Sequence, residues 1–413
     1  MINRIRIQNY KSIIDVTVDL SPITVLVGRS GTGKSNFVEA IRCLRDVLTS
    51  RQQMQNLQEN WSQIKPAMSV DSSISFDIEF SVSGISEQYR YQLTLGPQCA
   101  PIFVQEERLE FGSTCIFHQT CVLPNQGGGG GFGFGGQSPK WIVEPALLQV
   151  PPAGPLALGR IPAISEAVIA FTALTTGIGC YTFPDKVLSG ARTNERTSGL
   201  NDDGTNFLDT LKEIVSNLQD FTSRRNIVSA LQRVNSSVSS IELNDLQNPG
   251  HVVVGHKFGG KTLGLQLSQE SDGFRRFYAH LLALYQRPPK QTLVFEHPED
   301  GIHPGALSLL AEEFLAAPEN NRGQVILTTH SPGLLDQFDV NQMRVVELDD
   351  FHTRISPVSD VQRESIRDHL LTPGELLTVD PARSNAVEAE TSTLCSGSCC
   401  VSKETVKLQQ CRS

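Results

Sequence analysis

A glycine loop near the N-terminus constrains the fold of this chain more than any other feature. The loop follows Ile23–Val27, an apolar run without polar alternation, which is typical of a strand buried on both faces. Beyond the loop, Phe37, Ile41 and Leu44 recur at helical spacing. The order of strand, loop and helix predicts α/β structure. The loop residues are Gly28, Arg29, Ser30, Gly31, Thr32, Gly33, Lys34 and Ser35.

The loop matches the phosphate-binding pattern G-x-x-x-x-G-K-[S/T] at every defined position. Glycines let the backbone curl so that its N–H groups converge on phosphate oxygens, and the following helix adds its positive end to the same anion. We expect Lys34 to reach the β- and γ-phosphates and the Ser35 hydroxyl to bind Mg²⁺. The sequence therefore predicts a nucleoside triphosphate site, with ATP and Mg²⁺ as the cofactors.

Two further apolar runs end in ionisable residues. Leu293–Phe295 is followed by Glu296, and Val325–Leu327 is followed, after two threonines, by His330. Ligands gather at the carboxyl ends of the strands in α/β sheets. Taken singly, Glu296 is typical of a solvated strand end and His330 of a loop. A phosphate loop requires a carboxylate for its metal, so Glu296 is predicted to hold Mg²⁺ together with Ser35.

The composition fits a soluble globular protein, and the length allows two or three domain-sized units or one large domain that carries insertions. Of 413 residues, 39% are hydrophobic and 19% are charged, and the formal net charge is −9. That charge argues against a broadly basic surface for nucleic acid, and the pairs Arg224-Arg225 and Arg275-Arg276 support DNA binding only weakly. The sequence contains no apolar run of membrane-spanning length and no signal peptide, so we expect a cytoplasmic location.

Strand alternation predicts an antiparallel hairpin of Ile74–Phe80 and Tyr89–Leu95, extended by a third strand at Ile102–Phe111. Gly127–Gly136 is a low-complexity loop. The tail after Ala382 lacks an apolar period, and its four cysteines have poor spacing for zinc. Helical periodicity recurs at Ile164–Leu174, Asn206–Phe221, Phe274–Tyr285 and Ala306–Ala316.

Together these motifs resemble the ABC-type ATPase head of the RecF/SMC/OLD group, in particular the stand-alone AAA-family ATPases of bacteria. The resemblance runs from about Ile2 to about Leu348 and includes Asn9–Ser12, Asp203–Asn206 and Gln324–Pro332. It implies an ABC-type P-loop NTPase head with a central, mostly parallel sheet, an N-terminal antiparallel β lobe and a helical insertion. The implied segments are the two halves of the head at 1–111 and 251–381, the insertion at 112–250 and a disordered tail at 382–413.

The resemblance also implies roles for individual residues. Ser271–Gly273 looks like the ABC signature, whose Ser271 and Gly273 would contact the γ-phosphate of ATP held by a second subunit. Glu296 looks like the Walker B acid that holds Mg²⁺, and His330 looks like the switch histidine beside the γ-phosphate. Glu299–Gly301 falls in the D-loop region at the subunit interface. Gln105 lies in the region of the glutamine that senses Mg²⁺, where several other glutamines compete for that role.

Some positions depart from the family pattern. His297 stands directly after Glu296, where the family commonly carries the glutamate that orients the attacking water. A histidine accepts a proton near neutral pH, and Glu299 is the alternative base. The predicted catalytic set is therefore Glu296, His297, Glu299 and His330. The other departures are Ser30 in the glycine loop and Glu270 and Phe274 beside the signature.

The implied function is an ATPase that acts as an ATP-gated homodimeric switch on DNA or on an effector protein. Relatives act in DNA repair and phage defence, which makes such a role an expectation by analogy. A nucleotide-binding regulatory scaffold is the alternative, because His297 would leave ATP bound with little hydrolysis. The ATPase subunit of a membrane transporter fits less well, since a large insertion separates the motifs. The sequence contains no nuclease pattern after the head.

Overall fold

The computed structural model describes residues 1–66, 73–96, 104–122, 140–144, 156, 158, 164–184, 199–216, 221–244 and 251–386. In chain order the strands of these residues are β1 (Ile2–Tyr10), β2 (Ile13–Asp19), β3 (Ile23–Val27), β4 (Ile74–Phe80), β5 (Tyr89–Leu95), β6 (Val104–Phe111), β7 (Thr114–Val122), β8 (Lys140–Glu144), β9 (Ile178–Tyr181), β10 (Val238–Asn244), β11 (His251–Phe258), β12 (Lys261–Gln266), β13 (Thr292–Glu296), β14 (Gln324–Thr328), β15 (Met343–Asp349) and β16 (His352–Pro357). The α-helices are α1 (Lys34–Thr49), α2 (Arg51–Glu59), α3 (Trp61–Ile64), α4 (Ser165–Leu174), α5 (Phe207–Ser216), α6 (Phe221–Val234), α7 (Asp272–Tyr285), α8 (Leu307–Glu319), α9 (Pro332–Leu335) and α10 (Asp360–Arg367).

The central sheet has the strand order β16-β15-β3-β14-β13-β9. Every neighbouring pair in it is parallel except β15 with β16. Strands β3 and β14 are buried along their whole length, as expected for strands covered on both faces. Val25 packs with residues of α7 and α8 on one face, whereas Leu26 packs with α1 on the other. The mostly parallel sheet and the strand, loop and helix predicted around Gly28–Ser35 are confirmed.

An antiparallel sheet of order β2-β1-β4-β5-β6-β7-β8 covers the α1 side of the central sheet. The predicted antiparallel hairpin is confirmed, and in it Ile74 pairs with Leu95 and Phe80 pairs with Tyr89. Strand β4 alternates buried and half-buried residues, and its buried face belongs to the same core as Phe37 of α1. The predicted N-terminal β lobe is therefore present, and it continues past the third predicted strand into β7 and β8.

The segment 112–250, which the resemblance treats as an insertion, contributes strands to three sheets. Strands β7 and β8 extend the antiparallel sheet, β9 forms the edge of the central sheet beside β13, and β10 joins β11 and β12. Strand β9 has only four residues, too few for periodicity to distinguish it from a helix end. Predicted helix Asn206–Phe221 corresponds to α5 and the first residue of α6. Gly127–Gly136 and residues 387–413 lie outside the described part of the chain.

The segment Asp203–Asn206 opens α5 and is joined to α1. Arg45 of α1 donates two hydrogen bonds to the Asp202 carboxylate, at 2.8 and 2.6 Å. The Asn206 side-chain amide donates to the Gly199 carbonyl oxygen at 2.7 Å. These bonds tie the helical region to the helix that leaves the glycine loop.

Among the described helices, none has the length and apolarity needed to cross a membrane.

Candidate functional site

The glycine loop lies at the carboxyl end of β3, where the chain turns into α1. Gly31 and Gly33 have positive φ angles of 81° and 104°, a conformation that residues with side chains rarely adopt. A Cβ atom at Gly28 would collide with the Val346 carbonyl oxygen, and one at Gly33 would collide with the Thr353 hydroxyl. Backbone conformation and close packing therefore require these glycines.

The Lys34 side chain turns back over the loop. Its Nζ donates to the carbonyl oxygens of Gly28 at 2.7 Å and of Arg29 at 2.8 Å. Burial lowers the pKa of Lys34 to about 8, because the ammonium group has lost hydration. Both carbonyl partners are neutral, so a phosphate group would supply the missing countercharge. The loop therefore fits the triphosphate that its sequence predicts.

A chain of hydroxyl groups fixes the loop from the side of β16. Thr353 Oγ1 donates to the Thr32 carbonyl oxygen at 2.9 Å and lies 2.6 Å from Ser12 Oγ. Thr353 has one hydroxyl proton, so Ser12 donates to Thr353 and accepts from Asn36 Nδ2 at 2.6 Å. The sequence did not predict a role for Thr353, because its contact with Thr32 joins residues 321 positions apart.

Glu296 lies at the end of β13, opposite Thr328 of β14. Strand β14 pairs with β3, where Thr328 lies opposite Leu26, so one strand separates Glu296 from the glycine loop. Neighbouring strands lie about 4.8 Å apart, which places β13 roughly 10 Å from β3. A Mg²⁺ ion prefers oxygen ligands and keeps several of its waters, so the Ser35 hydroxyl and the Glu296 carboxylate would supply ligands that suit it. Ser35 and Glu296 therefore fit a magnesium site between the two strands.

The structure brings His297, Glu299 and His330 together beside Glu296. The His297 and His330 rings stack with centroids 4.9 Å apart and an interplanar angle of 14°. Glu299 Oε1 accepts a hydrogen bond from the His330 backbone N–H at 2.7 Å and lies 3.9 Å from His297 Nδ1. His297 has a positive φ of 49°, so its backbone occupies the left-handed region. The predicted catalytic residues form one cluster at the carboxyl edge of the central sheet.

The local charges push the pKa values of the two histidines in opposite directions. Interaction with the Glu299 carboxylate raises the pKa of His297, against a smaller effect of burial. Burial and the charges of Lys34 and His297 lower the pKa of His330. Burial works to raise the pKa of Glu299, but the interaction with His297 and the bond from the His330 amide outweigh it, and the pKa is lowered. The cluster thus favours a charged His297–Glu299 pair beside a neutral His330.

Ser271 begins α7 and accepts a hydrogen bond from the Phe274 backbone N–H at 3.3 Å. Gly273, in the first turn, lies so close to the Gly301 carbonyl oxygen that a Cβ atom would be 2.9 Å from it. Gly301 also has a positive φ of 69°, which favours glycine. The start of the signature helix therefore packs directly on the turn that follows Glu299.

Two of the departures from the family pattern have structural explanations. Glu270 is buried, and its Oε1 lies 2.6 Å from Nε2 of His256, which is 2% exposed. Phe274 is buried in the core that contains α7, where its ring meets Tyr278 edge-on. Both side chains therefore serve packing or pairing within the chain. The structure gives no account of Ser30.

One other candidate, Gln105, lies away from the cluster. Gln105 is in β6 of the antiparallel sheet, and its Oε1 accepts from Ser73 Oγ at 2.7 Å. The strand beside the Glu296 strand is instead β9, and the described residues that follow it, Thr182–Pro184, include no glutamine. Arg275 and Arg276 are each 8% exposed and donate to backbone carbonyl groups. This pair is therefore a structural part of α7 rather than a solvated face.

Comparisons with known proteins agree with this geometry. The family model "AAA ATPase domain" matches residues 1–120, and the family model "AAA domain, putative AbiEii toxin, Type IV TA system" matches residues 137–336. A solved SMC head bound to the C-winged helix domain of ScpA is 13% identical, with a TM-score of 0.54 over 87% of this chain and 99% of that chain. An SMC head with an extended coiled coil, bound to the C-terminal domain of ScpA derived from Pyrococcus furiosus, is 11% identical, with a TM-score of 0.50 over 89% and 99%. Comparison with curated proteins finds no match.

The chain carries an AAA-type ATPase domain with the fold of an SMC head. Two ATPase family models match successive parts of the chain. The first covers the glycine loop, and the second covers the Glu296–His330 cluster. The likeness to the SMC heads, at such low identity, shows the fold. The predicted family resemblance and fold class are thus confirmed, and the head is an ATPase head by both its family models and its architecture.

Proposed function

We propose that this head binds and hydrolyses ATP with Mg²⁺ and works as an ATP-gated homodimeric switch. One observation carries the proposal: the glycine loop, Glu296 and His330 converge at the carboxyl ends of three adjacent parallel strands. In this proposal the loop would hold the phosphates and Glu296 would hold the metal. His330 would contact the γ-phosphate. Under this proposal the chain acts in the cytoplasm.

The signature helix supports the dimeric part of the proposal. Ser271 is exposed although it caps α7, and the N-terminus of a helix attracts anions. Within one chain, Gly273 already packs on Gly301, so the signature and the D-loop turn form one surface. In the closed dimer this surface would complete the site of the other subunit. Each ATP would then lie between Gly28–Ser35 of one chain and Ser271 of the partner subunit.

Hydrolysis requires a group that accepts a proton from the attacking water. Bound Mg²⁺ would neutralise charge that develops on the phosphates. His297 follows Glu296 directly, and Glu299 raises its pKa, so part of the population carries an imidazolium near neutral pH. An imidazolium cannot accept a proton. We therefore propose His297 as a base that works best when it is neutral, with Glu299 as its positioning residue.

The same pair supports the alternative function, a nucleotide-binding scaffold with little hydrolysis. If His297 stays charged against Glu299 when ATP is bound, the site has no free base at the position after Glu296. Steady-state turnover of the wild type and of His297→Glu separates the two functions. A gain of about 100-fold or more in the variant, the effect typical of one general base, favours the scaffold. A loss favours His297 as the working base.

The biological role is proposed by analogy. Roles in DNA repair or phage defence follow from relatives with the same head. The SMC heads with the same fold are bound to domains of ScpA, so an effector protein is a fitting partner class. The burial of Arg275 and Arg276 removes one of the two basic pairs that favoured DNA. A transporter subunit remains the least supported role.

The test measures ATP binding, ATPase activity and oligomeric state, each with and without DNA. We expect ATP to bind and to convert monomers into dimers, which light scattering detects. Lys34→Ala should abolish nucleotide binding, because it removes the cation that the loop holds over its carbonyl groups. A folded wild-type protein that neither binds ATP nor dimerises with it would refute the proposal.

A further inference from the structure

The turn between β15 and β16 exposes two large apolar side chains. Phe351 is 74% exposed, which places it among the most exposed large hydrophobic residues of the described chain, and Leu348 is 46% exposed. The nucleotide chemistry described above uses neither of them. Exposed apolar side chains at a turn next to a ligand site suggest contact with an apolar part of the ligand.

The hairpin flanks the glycine loop. Strand β15 runs parallel to β3, with Val345 opposite Val27, so β15 passes the end of β3 and projects beyond the loop. Leu348 lies directly opposite Thr353, and opposite residues of an antiparallel pair share one face. The Thr353 side chain on that face contacts the loop at Thr32. Leu348 therefore lies on the loop side of the hairpin, and Phe351 lies at its tip.

The strand order sets the direction of the nucleotide. Glu296 and His330 follow β13 and β14, on one side of β3, whereas β15 and β16 lie on its other side. The γ-phosphate must point toward Glu296 and His330, because these residues serve the metal and the hydrolysed bond. The triphosphate is a linear chain held along the loop. Its nucleoside end is therefore directed toward the β15–β16 hairpin.

The conformation of the turn shows that Phe351 is held at a cost. Asp350 and Phe351 have positive φ angles of 45° and 64°. Two-residue turns of this kind prefer Asn-Gly or Asp-Gly, and a bulky residue at positive φ is a genuine outlier. Glycine at position 351 would relieve that strain. A phenyl ring kept there, and exposed to solvent, contributes little to packing within the chain.

We propose that Phe351, supported by Leu348, is the platform on which the purine base of the bound nucleotide stacks. This inference rests on the proposed ATP site and adds its base-recognition element. Stacking on an aromatic ring tolerates any base, because every base has a π-face. The platform therefore selects for a nucleoside over a bare phosphate chain, and it discriminates little between adenine and guanine nucleotides.

Calorimetry with ADP and with pyrophosphate tests the platform. ADP lacks the γ-phosphate, so its binding does not depend on closure of the dimer, and pyrophosphate lacks the base. Phe351→Ala should weaken ADP binding about 5- to 100-fold, the range expected for one stacked base, and leave pyrophosphate binding unchanged. Phe351→Trp should retain ADP affinity. GDP should bind the wild type about as well as ADP does.

Phe258→Ala is the matched control, since Phe258 is a 59% exposed aromatic residue at the end of β11. This control should bind both ligands like the wild type. Unchanged ADP affinity in Phe351→Ala would overturn the inference, and so would an equal loss for ADP and pyrophosphate. If the wild type binds pyrophosphate and ADP equally, the base makes no contribution and the platform is wrong while the phosphate site stands. If the wild type binds neither, the nucleotide site itself is wrong and the platform falls with it.

Discussion

Under the proposed function, the residue at position 297 would set how fast the site turns over ATP. A glutamate at this position is ionised throughout the neutral range, whereas a histidine is a base only above its pKa. Glu299 raises the pKa of His297 above its ordinary value of 6.5, and the neighbouring charges of Glu296 and Asp300 act in the same direction. A histidine at this position would therefore make the proposed hydrolysis sensitive to pH in the neutral range, whereas a glutamate would not.

We expect the turnover of the wild type to rise with pH and to reach half of its maximum above pH 6.5. His297 is protonated below its raised pKa and neutral above it, so the base is present only on the alkaline side. Initial rates between pH 6 and 9 with saturating Mg-ATP measure this profile. In the His297→Glu variant, the increase of turnover with pH should occur below pH 6.

Glu299→Gln is the matched control for the direction in which the pKa of His297 is shifted. It removes the carboxylate that raises the pKa of His297, while burial, which lowers that pKa, remains. The midpoint of the rate profile should therefore move to lower pH. A wild-type profile that is flat from pH 6 to 9, or a midpoint that Glu299→Gln leaves in place, would show that His297 is not the base.

At the scale of elements, the β15–β16 hairpin combines support of the loop with a strained turn. Strand β16 supplies Thr353, whose hydroxyl binds the Thr32 carbonyl oxygen, and strand β15 supplies the backbone that packs on Gly28. The turn carries Phe351 at a positive φ of 64°. The two strands support the loop, and this support does not require a phenylalanine at position 351. The strain in the turn arises because position 351 carries a side chain at positive φ.

Phe351→Gly should therefore stabilise the fold while it removes the ring. A left-handed conformation costs a residue with a side chain about 1–2 kcal/mol, and the greater freedom of glycine in the unfolded chain offsets about 0.5–1 kcal/mol of that gain. We expect the free energy of unfolding in urea to rise by up to about 1 kcal/mol.

Phe258→Gly provides the comparison, because Phe258 ends the extended strand β11 and has no positive φ to relieve. That variant should lose about 0.5–1 kcal/mol. A loss of stability in Phe351→Gly as large as that in Phe258→Gly would contradict the account of strain at the tip.

The elements that periodicity predicted are those whose burial is regular. Ile74–Phe80 and Tyr89–Leu95 alternate because one face of their sheet is buried, and the strands were predicted with their observed bounds. The hairpin of β15 and β16 was not predicted, since its burial is irregular and its outer residues are exposed. Strand β9 is buried at all four of its residues, which removes alternation altogether.

At the scale of the whole molecule, the proposed switch requires a surface that only a second copy completes. The signature turn and the D-loop turn pack together through Gly273 and Gly301, and Ser271 is exposed beside them. The charge on a second subunit's γ-phosphate would meet the positive end of α7 there. ATP would hold the two heads together, and hydrolysis would release them.

Ser271→Arg should separate nucleotide binding from dimerisation. The long side chain would fill the space that the partner's phosphate needs, whereas Gly28–Ser35 of the same chain stays intact. Sedimentation velocity with ATP should show monomers, and calorimetry should show ATP affinity close to that of the wild type. The control is Ser216→Arg, which changes an exposed residue at the end of α5. This variant should dimerise normally. If Ser271→Arg forms dimers at the ATP concentrations that dimerise the wild type, the proposal of a composite site is contradicted.

The sequence by itself determined the parts of this protein that depend on neighbours along the chain. Ile23–Val27, the glycine loop and α1 follow one another, so their pattern predicted the phosphate site. Glu296 and His330 were recognisable because Glu296 ends one buried strand and His330 closely follows another. Only the tertiary structure decided what lies around them. The upward shift in the pKa of His297, the hydrogen bond from Thr353 to the loop and the place of Phe351 at the tip of the same hairpin arise from strand order and long-range contacts, which a local pattern of residues does not contain.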